Sequence, residues 1–438
     1  MEEKFLYHIW DAGHLLSPLK TSGGKNLQVV YQGQFNTGRG PDFRNVIISL
    51  DGETLKGDVE IHINSYDWIA HEHHEDRYYN NVILHVVMNA AQQQYTLRED
   101  GQAVEILELK NQISDDIRKL LDSAPVLGKV EHSNYCDLLS AVDNDTLISI
   151  LSSSGMSRFR NKMRRFNAGL MLSDFDQVYY EGMMEALGYE KNKHNMLRLA
   201  QAIPLSNIRE WQKEGLSALE LVSILCCSSG LLDKCRNSLG AELHTAIAST
   251  FETQRFFAKE VDIDWQLFRI RPASHPVFRL VFMAALLHKT ASQGLLSFFM
   301  EQVLSSRSNP RESFKAFAGI FAQTTFPGAE TLPQPGSGLI GNIYINIFLP
   351  IACMYAEKHS LADEKTYLTS CYQAHPGLME NHILRFMSRY LSATHYKLMI
   401  SKSIHQQGLI EIFHKHCHYH LCQDCTSGKA PYMGIENS

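Results

Sequence analysis

The sequence has little of what a secreted, membrane-spanning or charge-coated protein requires. Its nine cysteines are an odd number, and Cys136, Cys226, Cys227, Cys235, Cys353 and Cys371 are scattered outside a terminal group. Scattered thiols do not make the disulfide framework of a small extracellular module, and they fit a reducing cytoplasm. The opening MEEKFLYHIW is acidic and has no basic stretch followed by an apolar run, so no signal peptide is expected. Apolar runs are short: Val277 to Leu287 is interrupted by Arg279, and a bilayer needs about 20 apolar residues. No membrane partner is expected, and the expected location is cytoplasmic. The formal net charge of -6 argues against coating nucleic acid by bulk charge, although a local basic groove remains open. Low-complexity segments and clear internal repeats are also missing.

What remains is an ordinary globular composition, 44% hydrophobic and 20% charged over 438 residues, enough for two or three domains. Phe5, Leu6, Ile9 and Trp10 recur at helical spacing and predict a short helix over residues 3–10 that ends near Gly13. Strands are predicted over 27–35, 45–50 and 54–63, with Asp51-Gly52 as a hairpin turn between the last two. A helix is predicted over 66–79, a strongly apolar strand over 82–88, and two further short strands at 95–96 and 104–109. From about residue 112 the apolar period becomes helical. The expected fold class is therefore α+β: an N-terminal α/β core with a mixed sheet over 1–111, a mainly helical domain over 112–400, and a Cys/His-rich tail over 401–438.

Between Gly40 and Val87 the chain is unusually rich in carboxylates and imidazoles. Strand side chains alternate faces, so Asp58, Glu60 and His62 share one face while Val59, Ile61 and Ile63 share the other. If Asp51-Gly52 closes the hairpin, residues 43–45 lie opposite residues 58–60 and Asp42 comes close to Glu60. Two carboxylates so placed repel unless a hard cation lies between them. Mg²⁺ or Mn²⁺ suits such a site, and the ion then activates water and neutralises a phosphate ester. Singly, these acids also read as turn and solvent-face residues, and His85, inside an apolar run, reads as a core histidine.

Pro41-Asp42 before one strand of a hairpin, then Glu60-Ile61-His62 on the next, resembles the PD-(D/E)xK nuclease motif. The predicted order of elements is similar to that superfamily's restriction-endonuclease-like core. The resemblance implies that Asp42 and Glu60 are metal ligands and that the third motif position, usually lysine, orients or activates the attacking water. Here His62 stands in that place; an imidazole can act as a base near neutral pH, but the exchange also permits an inactive relative. The longer string GPDF…GDVEIH…DW…VILHVV resembles the signature of an uncharacterised bacterial domain-of-unknown-function family, over most of the chain including the tail.

Three further groups bear on function. In HEHHED (71–76), a helix would pair His71 with His74 and Glu72 with Asp76 on one face, and two imidazoles with a carboxylate can bind Zn²⁺. Asp58, His71, His73 and Asp76 are accordingly candidates for substrate contact. So are Arg158 and Arg160 of the basic run RFRNKMRR, where arginines interleave with an aromatic ring as a phosphate backbone requires. In the tail, Cys417, Cys422 and Cys425 offer three thiolates for Zn²⁺ or an iron–sulfur cluster, one short of a closed site. The leading expectation is a metal-dependent phosphodiesterase acting on nucleic acid. The alternative is the same fold, catalytically inactive, as a nucleic-acid- or protein-binding module; a Zn²⁺ hydrolase built on HEHHED comes third.

Overall fold

The computed structural model describes residues 3–36, 38–113, 139, 142–254, 260–307 and 309–417. The chain forms two compact units. The first comprises residues 1–172, 381–398 and 407–438; the second comprises 173–380 and 399–406. Unit one thus runs past the boundary at 111 expected from the change in apolar period and takes in the 26-residue helix Asn144–Gly169 as well as the sheet.

Unit one opens with helix α1 (Glu3–Ala12). Strands follow as β1 (Leu19–Lys20), β2 (Asn26–Tyr31), β3 (Gln34–Phe35), β4 (Phe43–Leu50) and β5 (Glu53–Asn64). After the four-residue helix α2 (Asp67–Ala70) come β6 (Val82–Asn89), β7 (Tyr95–Leu97) and β8 (Ala103–Glu108). The sheet order is β1-β2-β4-β5-β6-β8-β7, with β3 paired to β4. β4 and β5 are antiparallel, joined through Asp51 (φ 49°) and Gly52 (φ 89°), the pair of left-handed residues that a tight hairpin needs. β5, β6 and β8 run parallel. The sheet is mixed, as expected.

The single strand expected over 27–35 is broken. Gly33 adopts φ 87°, and a β-carbon there would crowd the Arg44 carbonyl and the Val46 side chain, so β2 ends and β3 begins beyond it.

Two bulges decide which side chains face which way. In β4 the register passes from Phe43↔Val59 to Val46↔Gly57, with one extra residue. Asn45 takes φ 57° there and its amide is held by Asp58 Oδ1 at 3.0 Å. In β6 the register passes from Asp58↔Val82 to Val59↔Leu84. The extra residue breaks strict alternation and places both Val82 and His85 on the side away from α1. On the α1 side, Leu6, Ile9 and Trp10 pack against Phe43, Val46, Ile48, Val59, Ile61, Leu84 and Val86. On the other side Trp68, Tyr79, Val82 and Val104 form a smaller cluster.

At Gly57 on β5 a β-carbon would run into the Ile83 side chain and the Asn81 carbonyl. Gly57→Ala is expected to destabilise unit one by about 1–3 kcal/mol through overpacking. Urea denaturation followed by tryptophan fluorescence reads the effect, and an unchanged midpoint would show that the strands accommodate the methyl group.

Unit two is helical over most of its described residues, in line with the helical apolar period from about residue 112, and its helices include Tyr189–Ala202, Pro276–Lys289 and Leu295–Ser305. Its core is aromatic, with Tyr179, Phe299, Phe317, Phe321 and Phe348 in mutual ring contact. The continuous helical stretch Ser337–Lys358 is long and apolar enough to cross a bilayer, and 78% of that apolar window is buried inside the protein. Asn342 and Asn346 punctuate its apolar sequence without ending the helix.

Candidate functional site

β4 and β5 hold Asp42 and Glu60 through each other's backbones. The Asp42 amide donates to Glu60 Oε2 at 3.0 Å, and the Ile61 amide donates to Asp42 Oδ2 at 3.0 Å. The hydroxyl of Tyr7, on α1, also hydrogen-bonds the Asp42 carboxylate. Both acids are the residues that the hairpin register brings together, and Glu60 is 6% exposed, so this strand face is buried and not solvated.

The other oxygen of Glu60 faces imidazoles. Oε1 lies 3.1 Å from His73 Nε2 and 3.5 Å from His62 Nε2. His62 Nε2 in turn meets His71 Nδ1 at 3.1 Å, and His62 Nδ1 meets His85 Nε2 at 2.9 Å. His62, His71 and His73 each present a ligand atom within 4.8 Å of the others. Trp68 walls this group, with its ring centroid 5.5 Å from that of His73 and 5.1 Å from that of His85, and its indole N–H fixed on the Leu97 carbonyl at 2.9 Å. Tyr79 stacks on His73 at 3.8 Å.

Burial sets the charge of the site. It pushes Glu60 up to about 8, and it pushes Asp42 up to about 8 with help from the neighbouring Glu60 charge. Desolvation pulls the imidazoles the other way, His73 down to about 4 and His85 down to about 3. His62 is lowered too, by burial first and then by His85 and the other histidines. At neutral pH His62, His73 and His85 are neutral, the form that offers a lone pair to a metal or accepts a proton.

HEHHED does not form the expected helix. α2 stops at Ala70, turns follow, and a 3-10 turn covers Arg77–Tyr79. Glu72 adopts φ 59°, a left-handed conformation that no helix accommodates. The pairing of His71 with His74 on a helix face therefore does not arise; His71 and His73, two apart across the turn, converge instead.

Asp58 is committed to the β4 bulge through Asn45, and Asp76 accepts from the Tyr78 amide at 3.0 Å and pairs with Arg39 at 3.0 Å. Arg158 lies on the helix Asn144–Gly169, with Nε donating to Gln407 at 2.9 Å and Nη1 3.4 Å from Glu411; Arg160 is exposed. Cys417 is buried at the end of a π-helical turn, Phe413–Cys417. Cys422 and Cys425 lie outside the described residues. His85 is the participant that sequence reasoning set aside as core. Its signal was a histidine in an otherwise apolar strand, but its position opposite Glu60 depends on the parallel register of β5 and β6.

No curated protein and no solved structure matches the chain. A family model matches residues 3–378, which leaves the tail outside the match. The chain belongs to the family described as "Protein of unknown function (DUF2851)".

Proposed function

We propose that this protein hydrolyses phosphodiester bonds in nucleic acid with the help of a divalent metal ion. One observation carries the reading: Asp42 and Glu60, the acids at the two PD-(D/E)xK positions, are tied at one end of an antiparallel hairpin by hydrogen bonds from the Asp42 amide to Glu60 and from the Ile61 amide to Asp42. His62 follows where that motif has its basic residue. Two features support it further. With the two-residue strands β1 and β3 set aside, the order α1, β2, β4, β5, α2, β6 is similar to the one expected of a restriction-endonuclease-like core. The site is also buried and lined by neutral imidazoles, so a bound ion would act at low dielectric, where charge stabilisation is strongest. Glu60 and the imidazoles around it would hold the ion, which would supply charge neutralisation at the phosphate and activation of an attacking water.

The test is cleavage of single- and double-stranded DNA and RNA by the full chain with Mg²⁺, Mn²⁺ or Zn²⁺, alongside Glu60→Ala. Metal-dependent cleavage that drops at least about 10²-fold in the variant is expected, given what removal of one charge-stabilising group costs. Cleavage unchanged in Glu60→Ala would assign the activity to a contaminant. No cleavage of any substrate would overturn the reading in favour of a binding module.

A further inference from the structure

We infer that unit one contains a binding site for a late first-row divalent ion of the Zn²⁺ class, formed by His62, His71, His73 and Glu60, with His85 orienting His62. The inference rests on the reading above for what the ion does, but not for where it is held. It moves the ion away from the gap between the two carboxylates to the imidazole side of Glu60.

The two oxygens of Glu60 have different occupations. Oε2 takes the Asp42 amide, and Asp42 itself is occupied by the Ile61 amide and by Tyr7. Oε1 faces the histidines. The distances around it, 3.1 Å to His73 Nε2, 3.5 Å to His62 Nε2 and 3.1 Å from His62 Nε2 to His71 Nδ1, approach the edges of one coordination polyhedron. Four ligands at roughly 2.0–2.1 Å from a tetrahedral ion lie about 3.3 Å apart. His73 Nε2 is buried and within 3.1 Å of Oε1, yet it makes no hydrogen bond there. Its nitrogen is close to the carboxylate without being aimed at it, as two ligands of a common ion are.

The donor set selects the ion. Mg²⁺ prefers oxygen ligands and retains water, whereas imidazole suits Zn²⁺, Fe²⁺, Ni²⁺ and Cu²⁺. His85 supplies the outer partner that metal-bound histidines characteristically have. With His62 Nδ1–H donating to His85 Nε2 at 2.9 Å, the lone pair of His62 Nε2 is free to face the ion. That tautomer leaves the His85 proton on Nδ1, a buried atom with no hydrogen-bond partner among the described residues. His71 alone of the four ligands is exposed, so an ion enters, and a phosphate reaches a further coordination position, from its side.

The test uses the full chain stripped with a chelator and then titrated with Zn²⁺, with bound metal counted by elemental analysis, and with Co²⁺ as an absorbing probe. One equivalent bound to nitrogen and oxygen ligands is expected, seen as visible Co²⁺ bands without a thiolate charge-transfer band. His71→Ala, at an exposed position that leaves the fold intact, is expected to weaken binding at least 100-fold, and His85→Phe about 10–100-fold. Asp42→Asn is expected to keep the stoichiometry, whereas an ion between the carboxylates would be lost. Absence of binding, binding unchanged by His71→Ala, or binding abolished only by Cys422→Ser with Cys425→Ser overturns the site. Zn²⁺ bound as described without nucleic-acid cleavage removes the phosphodiesterase reading and keeps the site. Mg²⁺-dependent cleavage indifferent to His71→Ala does the reverse.

Discussion

Glu60→Gln is expected to stabilise the metal-free protein above neutral pH while reducing metal-dependent cleavage about 10²–10³-fold. Glutamine keeps an acceptor for the Asp42 amide and removes a charge that burial disfavours. The sign follows from linkage. Burial raises the Glu60 carboxyl from 4.5 to about 8, so between those values the folded state binds a proton that the unfolded state has released. Glu60 therefore contributes a loss of stability that accumulates as pH rises from about 4.5 and levels off above about 8. Across that window the difference between glutamine and glutamate grows from near zero to roughly 4–5 kcal/mol. Part of it is offset because Asp42, raised for the same reason, relaxes once its neighbour is neutral. Chelator-treated wild type and variant, denatured by urea at pH 5, 7 and 9, measure it. A variant no more stable than wild type at pH 9 would mean that the Glu60 charge is satisfied in the metal-free protein.

Trp68→Ala is expected to cost about 3–5 kcal/mol, the range for emptying a buried tryptophan site. Trp68 is fully buried, and its ring packs on His73, Tyr79 and His85. Its N–H anchors α2 to the Leu97 carbonyl, so the cavity would open beneath the turn that carries His71 and His73. Activity and metal affinity should fall with stability, and Trp68→Phe, which refills much of the volume, should recover more stability than activity if the indole hydrogen bond positions the turn. An unfolding free energy of Trp68→Ala within about 1 kcal/mol of wild type would show that the histidine cluster holds itself together.

The β4–β5 hairpin was legible because its determinants are local. Asp51-Gly52 fixes the turn, and period-2 alternation fixes which residues share a face, so Asp42 beside Glu60, and Glu60 with His62, followed from sequence order alone. The helical character of the second half was legible for the same reason, since apolar spacing reports a buried helix face wherever it recurs. The HEHHED turn was misread as a helix because composition there is compatible with either. What excludes the helix is Glu72 at φ 59°, in a segment whose flanking Trp68 and Tyr79 are both buried in one cluster with Val82 and Val104.

Sequence by itself determined that this is an α+β chain with a carboxylate hairpin and an imidazole-rich segment just after it. Tertiary structure decided that the two meet. The parallel pairing of β6 with β5 sets His85 opposite Glu60, a bulge in β6 turns it toward His62, and the short turn after α2 folds His71 and His73 back over the strand. The parallel register and the β6 bulge arise from contacts between residues more than twenty positions apart. A linear pattern carries no measure of those contacts, so the site's acids could be named in advance and its full ring of histidines could not.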